Sequence, residues 1–392
     1  MVFDEVPGEV KRLSIAFSLS FLGSSMVWMF LPVFFEQHIE NVFLVGVLTS
    51  VPAFTTLFMD IPVGNLLQRA DSKLFTFIGL ILFSIPGIFY ITTLTVMMFV
   101  GKFVEGISKT LRWESGWYIA MEDSNIENES ETLGVFTLGK NISDIIGPVI
   151  GGILAFYIGI SFNLVLWFFL GVLSFIYFYM YVGFSTDNYK KAFKSLIKKK
   201  TYSDDIKHLR ENWSSMRWAI SLIFIFSIVS SFFWVAVPLI LNDLGADYIV
   251  MGGLFGLVAI PRVFEVYFGK LADRYGWLRT VQFFSFCVIP VLFIISFMEN
   301  IVVVGGLILL AMFFSTALNP SLHSYFDKSV SDEVEGEMVG FLELFKHSGQ
   351  TLGPIIAGAV ASRWSISTSF LAAGIISVLF FILVTYIRVF VE

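Results

Sequence analysis

The chain has 392 residues, of which 56% are hydrophobic, 17% aromatic and only 14% charged. Soluble domains carry about 25% charged residues, so this composition, with 45 Phe and a mean hydropathy of +0.81, leaves little room for a water-soluble fold. The net charge of −6 argues against a nucleic-acid partner, and the single cysteine, Cys287, can build neither a disulfide framework nor a thiolate metal centre.

Met1 to Leu13 is short and acidic ahead of Lys11-Arg12 and lacks a small-residue cleavage site, so no removable signal peptide is expected. A helix that crosses hydrocarbon needs about 20 apolar residues. Runs of that kind fall at 13–35, 43–67, 74–95, 97–121, 133–157 and 161–183, and again at 217–241, 247–271, 279–298, 300–325, 338–361 and 365–389. They predict an all-α membrane protein with twelve transmembrane helices. A first six-helix bundle covers 1–183, a Lys-rich linker 184–216, and a second bundle 217–392.

Lys and Arg placement sets the expected orientation. Lys11, Arg12, Arg69, Lys73, Lys270, Arg274, Arg279, Lys328, Arg388 and the basic residues of the linker fall on one side, and only Arg363 falls on the other. Both termini, the linker and the loops at Arg69 and Arg274 are therefore expected in the cytoplasm of a multi-pass cell-membrane protein.

The two halves are copies. Leu31-Pro32 and Val237-Pro238 stand 206 residues apart, as do Gly147-Pro148 and Gly353-Pro354. Gly64-Asn65-Leu66-Leu67-Gln68-Arg69 returns after 205 residues as Gly269-Lys270-Leu271-Ala272-Asp273-Arg274, followed by Tyr275-Gly276. A parallel repeat in a polytopic chain points to a transporter. The second copy resembles the signature loop of the major facilitator superfamily. The first copy departs from it, with Gln68 in place of Asp and Asp71 in place of Gly. The resemblance covers essentially the whole chain. It implies a fold of two pseudo-symmetric six-helix bundles, and a conformational switch at Gly64, Arg69, Gly269, Asp273 and Arg274.

Charges at bilayer depth are costly, so each one marks a partner, water or a function. In the fourth run Lys102, Glu105, Lys109 and Arg112 are spaced three, four and three apart, which puts them on one face of a helix. The resemblance implies that this helix lines a central cavity. It also implies that Lys102 and Gly106 match an Arg-x-x-x-Gly motif associated with proton coupling, with Lys in place of Arg. An internal ladder of ion pairs is the competing reading, since Lys102–Glu105 and Glu105–Lys109 have the right spacing. The remaining intramembrane charges come in matching sets: Asp60 with Glu265 and Arg262, and Lys140 and Asp144 with Glu343, Lys346 and His347. The resemblance implies pairing across the halves, Asp60 toward Lys346 and Glu265 toward Lys140. Pairing within each half is the alternative.

Gly147-Pro148-Val149-Ile150-Gly151-Gly152 resembles the fifth-helix motif of the drug/proton antiporter branch, with Ser143 where a further glycine is expected. Close helix packing explains the same residues. No Walker loop is present, and the four histidines lack metal-ligand spacing, so no enzyme, cofactor or metal is expected. The chain is thus expected to act as a monomer in the bilayer, exporting a small organic solute by alternating access in exchange for protons, with Glu105 as the leading proton carrier. The alternative is uptake or exchange of an organic anion with Lys109, Arg112 and Arg262 as counter-charges. A non-transporting membrane receptor or polytopic enzyme is the remaining class.

Overall fold

Apolar runs of this length become helices because lipid offers no hydrogen bonds, so each segment must satisfy its own backbone. The computed structural model describes residues 6–67, 69–122, 129–185, 203–329 and 335–391, and every regular element among them is helical. The first pass is α1 (Gly8–Ser25) and α2 (Leu31–Ile39), joined by a 3-10 turn at Trp28–Phe30. Pro32 lies in the first turn of α2, where no helical N–H is needed. Next come α3 (Val42–Leu67), α4 (Ser72–Ser84) and α5 (Pro86–Ile91). Asp71 caps α4 by accepting from Lys73 N at 2.9 Å. The first half closes with α6 (Thr95–Glu122), α7 (Glu129–Tyr157) and α8 (Ile160–Tyr181).

The second half opens with α9 (Ser203–Asp243), which begins inside the stretch expected as linker; residues 186–202 of that stretch lie outside the described residues. Then α10 (Tyr248–Ala259) and α11 (Glu265–Tyr275) follow, bent by 45° from one another around a 3-10 turn at Ile260–Phe264 that contains Pro261. Gly276, at φ 92°, reverses the chain into α12 (Trp277–Ile295). The last three helices are α13 (Ile301–Ser329), α14 (Glu335–Arg363) and α15 (Ile366–Phe390).

Among the described residues, nine helical stretches are long and apolar enough to cross a membrane, and ten if the bent pair is one span. The other two expected spans are α6 and α14. At 28 and 29 residues they exceed the length of a bilayer crossing, but their charges lower their apolar character. Twelve crossings are consistent with this arrangement.

The chain forms two compact units, Met1–Met29 with Thr55–Tyr202, and Phe30–Phe54 with Ser203–Glu392. Residues 30–54 belong to the first repeat in sequence but pack with the second unit. Each unit repeats one contact. In the first, α7 lies against α1: a Cβ on Gly147 would stand 2.5 Å from Ser25 Cβ, and one on Gly151 would strike Met26 O. In the second, α14 lies against α9: a Cβ on Gly349 would stand 2.5 Å from Phe224 O, and one on Gly353 would strike Ser231 Oγ. Ser25 and Ser231 are again 206 residues apart. The Gly-Pro motifs thus carry backbone-close packing in both units, with Pro148 and Pro354 inside their helices.

The second unit adds a contact of its own. Gly46 on α3 faces Pro354 O and Gly358, and a Cβ on Gly358 would meet Gly46 Cα at 3.0 Å and Val42 O at 2.8 Å. Gly64, on the same α3, has open space around it. Gly46→Ala should therefore destabilise the protein by about 1–3 kcal/mol through overpacking. Gly64→Ala should be neutral or stabilising by up to about 1 kcal/mol, because Ala is the better helix former. Thermal unfolding in one detergent should place the two variants on opposite sides of the parent.

Candidate functional site

The charged helix α6 builds the site of the first unit. Its four sequence-predicted residues share an angle but not an environment. Lys102, Glu105 and Arg112 are buried, whereas Lys109 is exposed, as is Glu114. The four therefore share a helix face but differ in burial along it. The helical period fixes the direction of a side chain, but the neighbour at each height decides its burial.

Lys102 and Glu105 form an ion pair, Nζ to Oε2, at 2.9 Å, with side-chain exposures of 3% and 11%. Tyr90 on α5 donates its hydroxyl to the same oxygen at 2.8 Å, and Lys102 Nζ also stands 5.7 Å from the Tyr90 ring centre. Gly101 makes room for that ring, since a Cβ there would lie 2.5 Å from Tyr90 Cε1. One carboxylate oxygen thus holds a cation and a phenol in a dry setting, where each bond is stronger than it would be in water.

Arg112, two turns further along, is 1% exposed. Its Nη1 donates to Ser20 of α1, and its guanidinium carbon lies 3.7 Å from the Phe83 ring centre, 4.0 Å from Phe21 and 5.7 Å from Phe17. Its Nε has no hydrogen-bond partner, and no carboxylate lies within ion-pair distance of it among the described residues. Gly79 on α4 permits the approach, because a Cβ there would stand 2.6 Å from Arg112 N. Rings line this charge directly, with Glu105 and Asp144 acting on it from beyond ion-pair distance.

On α7, Lys140 Nζ meets Asp144 Oδ2 at 2.7 Å, and Ser25 donates to Asp144 Oδ1 at 3.1 Å. Lys140 also stands 5.7 Å from the Phe21 ring centre. Phe21 therefore lies near two cations, Arg112 and Lys140. Asp60 accepts from Thr110 Oγ1 at 3.4 Å.

In the second unit, Lys346 Nζ bonds both oxygens of Glu343, at 2.8 and 3.0 Å, and His347 Nε2 is 3.9 Å from Glu343 Oε2. Arg262 lies in the 3-10 turn and Glu265 opens α11, both half-buried. Lys140 and Lys346 thus each have a carboxylate partner on their own helix. Of the switch residues, Asp273 is exposed and accepts from Trp277 Nε1 at 3.4 Å, and Arg274 lies 5.4 Å from the Tyr275 ring centre. Gly269 has open space around it, and Arg69 follows the end of α3. Gln68 lies outside the described residues.

Sequence reasoning missed Tyr90, Ser20 and the three-ring cage. Phe17, Ser20 and Phe21 do share a helical face by their spacing, but nothing in their own segment says that an arginine stands opposite. Among the described residues no group of three potential ligands could hold a metal.

A family model described as Major Facilitator Superfamily matches residues 13–350 and 263–390. Quinolone resistance protein NorA of Staphylococcus aureus (strain MSSA476) is 23% identical over 377 residues, which cover 91% of each chain. Among solved structures, nucleoside transporter NupG (a mutant) superposes with a TM-score of 0.79 at 14% identity, over 96% of this chain and 99% of its own. A bacterial homologue of the human lysosomal transporter Spinster gives 0.77 at 12% identity, over 96% of both chains.

Removing one partner of a buried ion pair leaves the other charge stranded, at a cost of about 3–5 kcal/mol, whereas replacing both with apolar isosteres is often neutral. Lys102→Met should thus destabilise the protein strongly. Lys102→Met combined with Glu105→Gln should recover most of the loss. Thermal unfolding of the two singles and the double gives the coupling, and additive losses would contradict the pair.

Proposed function

The chain belongs to the major facilitator superfamily, and we propose that it exports a small organic solute across the cell membrane by alternating access, in exchange for protons. The superfamily's members are transporters rather than enzymes, and the chain is a multi-pass membrane protein. The observation that carries the coupling reading is the Lys102–Glu105–Tyr90 cluster, a carboxylate held at bilayer depth by a cation and a phenol. A proton delivered to Glu105 cancels its charge, weakens the hold on Lys102 and makes a different arrangement of the cluster competitive. Loss of the proton restores the pair. Export is supported by the full-length similarity to a resistance protein, and by the likeness of Gly147-Pro148 and its neighbours to the antiporter motif.

The same reading puts both termini, the linker and the loops at Arg69 and Asp273 in the cytoplasm, on the strength of the Lys and Arg distribution. The transporter works as a monomer whose two repeats, residues 1–183 and 217–392 joined by 184–216, provide its moving bodies, with residues 30–54 of the first repeat belonging to the second compact unit. Asp273 acts as the conformational latch of the second repeat. Gly147, Pro148, Gly353 and Pro354 let the helices bend and slide without losing contact. Asp60, Lys140, Asp144, Arg262, Glu265, Glu343, Lys346 and His347 supply further intramembrane charge. A second reading, exchange of an organic anion, is favoured by Arg112, whose buried Nε has no hydrogen-bond partner among the described residues.

A thermal-shift screen identifies a ligand through the stability it adds to the native state, and counterflow of that ligand in proteoliposomes then tests transport. An imposed pH gradient should accelerate transport by the parent. Glu105→Gln should keep counterflow and lose the acceleration. Retained gradient dependence in Glu105→Gln would remove Glu105 from the role of proton carrier.

A further inference from the structure

A guanidinium sealed among phenyl rings is an expensive arrangement. Cation–π contacts return only part of the cost of stripping water from a cation. Arg112 retains three ring neighbours and one hydroxyl, and its buried Nε–H points to no acceptor among the described residues. The Nε edge of an arginine carries parallel N–H groups that match the two oxygens of a carboxylate, sulfonate or phosphate. One ring is shared by this guanidinium and a second cation, because the Phe21 ring centre is 4.0 Å from Arg112 and 5.7 Å from Lys140. Phe21 is only half-buried, and the Lys140 side chain is 27% exposed. The cage is therefore closed on this side by a ring that is itself only partly buried. Every residue involved belongs to the first unit.

We propose that Arg112, Phe21 and Lys140 form a binding site for an organic anion with a flat apolar body. The anionic group takes the Nε edge of Arg112. Its ring displaces Phe21 and takes its place near the two cations, against Phe83 and Phe17. Asp144, which holds Lys140 at 2.7 Å, is the internal carboxylate that the ligand replaces or shares. This assignment rests on the transport reading and names the class of its substrate. It binds the charge with a first-repeat arginine that has Glu105 and Asp144 in its electrostatic surroundings but makes no direct ion pair with either, and whose Nε has no hydrogen-bond partner.

The test titrates purified full-length protein with benzoate and 1-naphthalenesulfonate, and with benzylamine, benzyl alcohol and inorganic phosphate as comparisons, by isothermal calorimetry. The aromatic anions should bind, and the others at least about tenfold more weakly, since the amine and the alcohol lack the anionic group that makes charged hydrogen bonds and phosphate lacks the apolar body. Arg112→Lys keeps the charge but loses the fork, and should weaken anion binding by about tenfold or more. Lys140→Gln should weaken it severalfold, and decides the matter if Arg112→Lys does not fold. Equal binding of the neutral or cationic probes, or of phosphate, overturns the assignment, as do unchanged anion affinities in the folded variants. Counterflow in proteoliposomes separates the two readings. If no solute exchanges, the transport reading falls while the titration still decides the anion site. If solutes exchange but aromatic anions neither bind nor compete, the site assignment alone falls.

Discussion

A full charge inside hydrocarbon must be met by something, and α6 carries more such charge than any other described span. That constraint shapes the first unit around it. Glu105 is met by Lys102 and Tyr90, and Arg112 by Ser20 and three rings. Glycines stand where those groups need room: Gly101 under the Tyr90 ring and Gly79 beside the Arg112 backbone. Cationic, phenolic and aromatic groups thus take the place of water, and the backbone gives way to admit them.

The two repeats share a frame and differ in what they place on it. α7 against α1 and α14 against α9 use equivalent small residues, Ser25 with Gly147 and Ser231 with Gly353. Small residues at such contacts let helices approach to backbone distance, which is how helices associate when lipid supplies no hydrophobic drive. The charges of α6, however, have no echo on α13, whose buried interior positions include Ile308, Ala311 and Leu318. A duplicated frame can therefore serve motion in both halves while the chemistry of recognition is concentrated in one.

Much of this was legible in the sequence. Apolar runs gave the helices, because a spanning segment cannot hide its length, and the near-constant offset of about 206 residues gave the repeat. The pairs Lys102–Glu105, Lys140–Asp144 and Glu343–Lys346 follow from three- and four-residue spacing. What spacing cannot convey is the neighbour from a distant segment. Lys109 lies at nearly the same angle as Lys102 yet is exposed, and Arg112 is buried by rings contributed by α1 and α4. Likewise the approach of Gly46 to Gly358 joins segments some three hundred residues apart. Its only local sign is a glycine in an otherwise ordinary apolar helix.

Alternating access is the claim on which the functional account depends. It is tested most directly by a single cysteine at position 21, introduced as Phe21→Cys in a Cys287→Ser background and labelled with a membrane-impermeant thiol reagent applied to one face at a time. The account predicts labelling from both faces, with a bound ligand changing the two rates in opposite directions. Labelling from one face only, at a rate no ligand alters, would contradict it.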